Sequence, residues 1–117
     1  MKVLDARAHG ILDYLTVAIF ALAPTVLSMT GTPAMIAYAL AAIHFLLTLI
    51  TAFPLGLARL VPFPAHGVIE LLVSIALIAL PWIAGFIGNA RIFYSAIGVV
   101  ILVVWLMTNY RSVSSAG

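Results

Sequence analysis

The sequence predicts an all-α polytopic membrane protein, four transmembrane helices arranged as two parallel tandem helical hairpins. Three observations predict it. Of 117 residues, 66% are hydrophobic and only 7% are charged, against roughly 25% charged in soluble domains, so the surface suits hydrocarbon and not water. Four apolar runs, about 11–29, 34–53, 67–87 and 92–110, are each close to the ~20 residues that carry a helix across a bilayer. Finally, the chain repeats itself. His9-Gly10-Ile11-Leu12-Asp13 and His66-Gly67-Val68-Ile69-Glu70 lie 57 residues apart, and the same ungapped offset pairs Lys2 with Arg59, Pro24 with Pro81, Gly31 with Gly88, Thr51 with Thr108 and Phe53 with Tyr110. A fixed internal period marks a duplicated unit. Residues 1–117 therefore form a single membrane domain, with repeat one at about 1–57 and repeat two at about 58–117.

Span one begins after the basic residues Lys2 and Arg7. Its Ala21-Leu22-Ala23 resembles a signal-peptide cleavage site. However, Pro24 would follow the cut, Asp13 sits at the start of the apolar run, and the segment is half of a repeat, so it reads as a span. Pro33 is placed to open span two in its first turn, and Pro64 to stand just ahead of span three. Pro24 and Pro81 fall near the outer ends of spans one and three, where each removes a helical hydrogen bond and bends the axis. Gly31 and Gly88 belong to the short outer turns. The connection Pro54–Pro64 is apolar apart from Arg59 and is expected in the headgroup layer. The tail from Arg111 to Gly117 is polar and expected to fray.

Each unit holds two spans, so both units start on the same side of the membrane and are related by a pseudo-two-fold axis along its normal. Span one is expected to face span three, and span two to face span four. Lys2, Arg7, Arg59 and Arg111 share one side, and Arg91 alone lies on the other. By the positive-inside rule both termini are cytoplasmic. There is no cysteine, which excludes disulfides, thiolate metal sites and thiol redox chemistry. Five scattered cations make no nucleic-acid patch. The expected partners are the lipid bilayer and a second copy of the chain, through small-residue helix faces.

Leu80-Pro81-Trp82-Ile83-Ala84-Gly85-Phe86, followed by a polar turn and another span, resembles the SPW repeat of small bacterial membrane proteins, in which each unit has two transmembrane helices. Leu80 stands where that motif has Ser, and the first unit reads Ala23-Pro24-Thr25. The resemblance implies a four-span fold in a bacterial inner membrane. It carries no biochemical activity.

The polar residues inside the spans are where chemistry would lie. A spacing of four puts His9 with Asp13, and His66 with Glu70, on one helix face each. The two-fold can bring both pairs together near the cytoplasmic face. Three readings are open. The carboxylates can sit at helix starts and the imidazoles tie helices together; imidazole and carboxylate can share a proton in a gate or relay; or all four can bind a divalent cation such as Zn²⁺. Gly10 and Gly67, beside the histidines, would admit close approach of another backbone.

His44 lies on a stripe of small and polar residues, Ala37, Ala41, His44, Thr48 and Thr51, whose counterparts in span four are Tyr94, Gly98, Ile101, Trp105 and Thr108. It serves either as complementary packing or as a third imidazole of the cluster. Haem is disfavoured because no histidine faces His9 and His66 at matching depth across the bundle, except His44. Ser28, Ser74 and Ser95 have no evident triad partners, so the sequence argues for no particular enzyme activity and leans away from one. Trp82, Trp105, Tyr14 and Tyr110 lie toward span ends, as interfacial anchors do.

Overall fold

The computed structural model describes residues 2–110; Arg111 and the polar tail lie outside the described residues. Four helices make up the fold: α1 (Ala6–Val26), α2 (Gly31–Leu49), α3 (Phe63–Ala84) and α4 (Gly88–Met107). All four are long and apolar enough to cross a membrane.

Each helix starts and ends a few residues earlier than its apolar run. At α1 and α3 the starts are set by local helix-end chemistry and not by hydropathy. Asp5 caps α1, its Oδ1 accepting from the Ala8 amide at 2.8 Å, and Pro64 occupies the first turn of α3, where no amide donor is needed. The first two turns of α1 and α3 therefore contain His9, Asp13, His66 and Glu70, polar groups that hydropathy leaves at the margin.

The two outer turns are built alike. Gly31 and Gly88 open α2 and α4 at φ +62° and +59°, and Ser28 and Gly85 stand at φ +53° and +74°, the left-handed region that glycine enters freely. Behind the two internal prolines, Met29 donates to the Pro24 carbonyl at 2.9 Å and Phe86 to the Pro81 carbonyl at 2.8 Å, bonds that close each helix end.

At the opposite, basal end, the central connection is more ordered than its sequence suggests. Thr51–Ala52 (β1) pairs in parallel with Val61–Pro62 (β2), and Leu4 makes an isolated parallel bridge with Thr108. These pairings again lie 57 residues apart. Leu4 donates to the Met107 carbonyl and Val61 to the Ile50 carbonyl, both at 2.8 Å.

The closest helix packing is within each hairpin, α1 on α2 and α3 on α4. Across the molecule, side chains of α1 meet those of α3, and the Tyr94 hydroxyl of α4 donates to the Pro33 carbonyl of α2 at 2.6 Å. The stripe of α2 is buried at Ala37, Ala41 and Thr48. One core runs along the bundle around Phe20, Leu77, Phe93 and Tyr94. A second, smaller one holds Ala6, Phe53 and Phe63 at the basal end. Large aliphatic side chains such as Leu22, Leu72 and Ile83 point outward, as on a surface solvated by lipid.

Candidate metal centre

Four polar side chains converge inside this apolar scaffold. His9, Asp13, His66 and Glu70 are all buried, and one ligand atom from each lies within 4.8 Å of all the others. Because i and i+4 share a helix face, α1 and α3 each present an imidazole with a carboxylate one turn further along. Their contacts cross between the hairpins. His9 Nε2 lies 2.7 Å from Glu70 Oε1 and 3.2 Å from Asp13 Oδ1. His66 Nε2 lies 2.9 Å from Glu70 Oε1 and 3.0 Å from Asp13 Oδ2.

Donor counting fixes the outer nitrogen of each ring. His66 Nδ1 lies 2.7 Å from Thr51 Oγ1, and His9 Nδ1 lies 2.8 Å from Thr108 Oγ1. Each threonine spends its one hydroxyl proton on the carbonyl a turn back, Leu47 and Val104, at 2.6 Å in both cases. The hydroxyl oxygen must then accept from the imidazole, so both Nδ1 atoms are N–H donors. The inner Nε2 atoms are left to face carboxylate oxygens. Lone pairs cannot face lone pairs at these distances. Either protons are shared across these nitrogen–oxygen contacts, on Nε2 or on a carboxyl oxygen, or a cation lies between the four groups.

A divalent cation meets that need. Two neutral imidazoles and two carboxylates leave a dication with zero net charge, which matters where an uncompensated charge is costly. The donor set is one that Zn²⁺ and neighbouring first-row ions accept. A histidine that ligates through one nitrogen and donates from the other to a fixed acceptor has the outer-shell support common to metal sites.

His44 joins the cluster as an outlier. Its Nε2 is 3.5 Å from Asp13 Oδ1 and has no hydrogen-bond partner among the described residues. It lies beside Asp13 but outside the compact set of four.

Aromatic rings roof the basal end of the centre. Phe63 and Tyr110 sit 5.5 and 5.3 Å from the His9 ring, and Phe53 sits 6.0 Å from His66. Phe53 and Phe63 stack at 5.5 Å. The glycines beside the histidines make room for these rings and not, as the sequence suggested, for another backbone. A Cβ on Gly10 would meet the Phe53 ring at 2.6 Å, and one on Gly67 the Tyr110 ring at 2.9 Å. Tyr110 thus does more than anchor at an interface. Burial, reinforced by the Glu70 and Asp13 charges, pushes its phenol above the ordinary range.

Sequence reasoning named the four residues that the structure brings together, but not Thr51, Thr108, Phe53, Phe63 and Tyr110, which surround them. A signal for four of them was present. Thr51/Thr108 and Phe53/Tyr110 are among the few pairs that the 57-residue offset matches, and both prove to touch the two histidines or their glycines.

Comparison with protein-family models, with curated proteins and with solved structures finds no match for this chain. The site therefore has to be read from its own chemistry.

Proposed function

We propose that this multi-pass membrane protein binds one divalent cation, Zn²⁺ or a neighbouring first-row ion, through His9, Asp13, His66 and Glu70. The observation that carries the reading is the pair of threonine bonds: with Nδ1 of both rings committed as donors, both Nε2 lone pairs are free to converge on a cation. The uneven spread of Lys2, Arg7 and Arg59 supports a cytoplasmic location for the basal end. The matched contacts 57 residues apart support tandem duplication of one hairpin. Kinship with SPW-repeat proteins of bacterial inner membranes belongs to the same proposal and rests on Leu80-Pro81-Trp82 and the two-helix unit.

One observation favours a second reading. The nitrogen–oxygen gaps of 2.7–3.0 Å match hydrogen bonds, whereas ligand atoms around tetrahedral zinc stand about 3.3 Å apart. In that reading protons are shared across these contacts and the cluster is a proton-bonded clamp or relay between α1 and α3.

Plasma mass spectrometry separates the two. Protein purified in mild detergent without a metal-affinity tag is loaded with Zn²⁺, desalted and analysed beside His66→Ala. About one zinc per chain, lost in the variant, is the expected result. No zinc in either protein would overturn the metal reading and leave the proton-bonded cluster.

A further inference from the structure

The two carboxylates of the centre meet the imidazoles in different ways. Glu70 Oε1 stands in aligned hydrogen-bond geometry to His9 and His66, at 2.7 and 2.9 Å. Asp13 is instead ringed by three imidazoles. Nε2 of His66, His9 and His44 lie 3.0, 3.2 and 3.5 Å from its oxygens. Yet Asp13 Oδ2 and His44 Nε2 are both buried with no hydrogen-bond partner among the described residues. Each orphan is costly to bury, and the two residues that carry them face one another. A single cause for both is more economical than two.

We propose that His44 is a fifth ligand of the cation, so that three imidazoles and two carboxylates from α1, α2 and α3 close around one ion. The proposal rests on the metal reading above. An ion beside Asp13 gives Oδ2 and His44 Nε2 the partner that each lacks. The spacing agrees. Donors bound at about 2.0–2.1 Å stand about 2.9–3.6 Å apart when their bonds meet at about 90–120°. All three separations from Asp13 fall in that interval, whereas none of them is aligned as a hydrogen bond. The rings are gathered accordingly: the His66 centroid lies 5.6 Å from that of His9 and 6.3 Å from that of His44. A neutral imidazole also adds no charge, so two carboxylates still balance the dication where an excess charge is costly.

The duplication explains why the fifth donor is single. The residue 57 positions after His44 is Ile101. The paired units therefore supply two histidines and two carboxylates, and α2 alone adds the odd ligand. The consequence is mechanical. α2 and α3 make little direct contact, and an ion shared by His44, His66 and Glu70 fastens one to the other.

The chain contains three histidines in all, so the bound imidazoles are countable by NMR. The full chain, made with ¹⁵N-labelled histidine and no polyhistidine tag, is loaded with ¹¹³Cd²⁺ in mild detergent, and its cadmium content is measured. A nitrogen bound to that isotope is split by one-bond coupling. All three Nε2 resonances should split, that of His44 being identified by its absence from His44→Gln. Splitting of the other two with His44 left single would overturn the fifth ligand while leaving the four-residue centre standing. A chain that takes up no cadmium and shows no splitting would overturn both. If His44→Gln does not fold, the count alone decides, three split resonances against two.

Discussion

Thr108 accepts a hydrogen bond from His9 Nδ1 at 2.8 Å while giving its own proton to the Val104 carbonyl, and Thr51 does the same for His66 from the other hairpin. The two threonines orient the imidazoles through their outer nitrogens, away from the converging Nε2 atoms. Thr108→Val keeps the side-chain shape and removes the acceptor. Zinc affinity should fall about 10–100-fold, as it does when an outer-shell partner is lost. Stability should drop by only about 0.6–1.7 kcal/mol, the range for one interhelical hydrogen bond in a membrane. Competition with a fluorescent zinc chelator reads the first and unfolding in mixed micelles the second. An affinity equal to wild type would show that the threonines do not tune the site.

The two carboxylates are not equivalent. Glu70 Oε1 is hydrogen-bonded to both imidazoles, at 2.7 and 2.9 Å. Asp13 sits within ion-pair reach of three imidazoles at 3.0–3.5 Å, and its Oδ2 has no aligned hydrogen bond among the described residues. Glu70→Gln and Asp13→Asn should both abolish stoichiometric zinc, as measured by elemental analysis. Glu70→Gln should be the more destabilising without metal, by about 3 kcal/mol, because it breaks a buried pair and leaves its partners uncompensated. Equal loss in both variants would contradict this hierarchy.

Two glycines, Gly98 and Gly67, support close packing, with different tolerances. A Cβ at Gly98 would come within 2.9 Å of the Ile78 amide nitrogen and 3.0 Å of the Ser74 carbonyl oxygen. That contact is backbone against backbone, so α3 and α4 would have to separate. At Gly67 the obstacle is the Tyr110 ring, which can swing aside. Gly98→Ala should therefore cost more stability, toward the upper end of the ~1–3 kcal/mol typical of overpacking, while keeping its zinc. Gly67→Ala should cost less but lift the roof, so that bound zinc exchanges faster with chelator. Comparing unfolding midpoints and zinc off-rates for the two variants checks both halves.

Tyr110 links the roof to alkaline stability. Its folded phenol is raised above the ordinary value by burial and by the nearby carboxylates. A raised pKa contributes stability that is complete below the unfolded value of about 10 and is lost as pH climbs beyond it. Wild-type protein should thus lose stability relative to Tyr110→Phe only above about pH 10, with a constant difference below. Parallel curves across that range would show that the phenol is not sequestered.

The sequence by itself determined the four spans, because about 20 apolar residues have no other stable place. It also determined the hairpin architecture, through the 57-residue offset, and the pairing of each histidine with a carboxylate one turn away, since i, i+4 spacing is a local property of a helix. The tertiary structure decided the rest. His9 reaches Glu70 across 61 positions and Thr108 across 99, contacts set by how each helix is rotated about its axis and by the crossed pairing of Leu4 with Thr108 and Val61 with Thr51. Hydropathy is nearly uniform around these helices and cannot specify that rotation. The same blindness hid the helix starts, set by Asp5 and Pro64, and the approach of His44 to Asp13. Apolar periodicity records which segments leave water; only packing fixes which polar atoms then meet, and in which direction their lone pairs point.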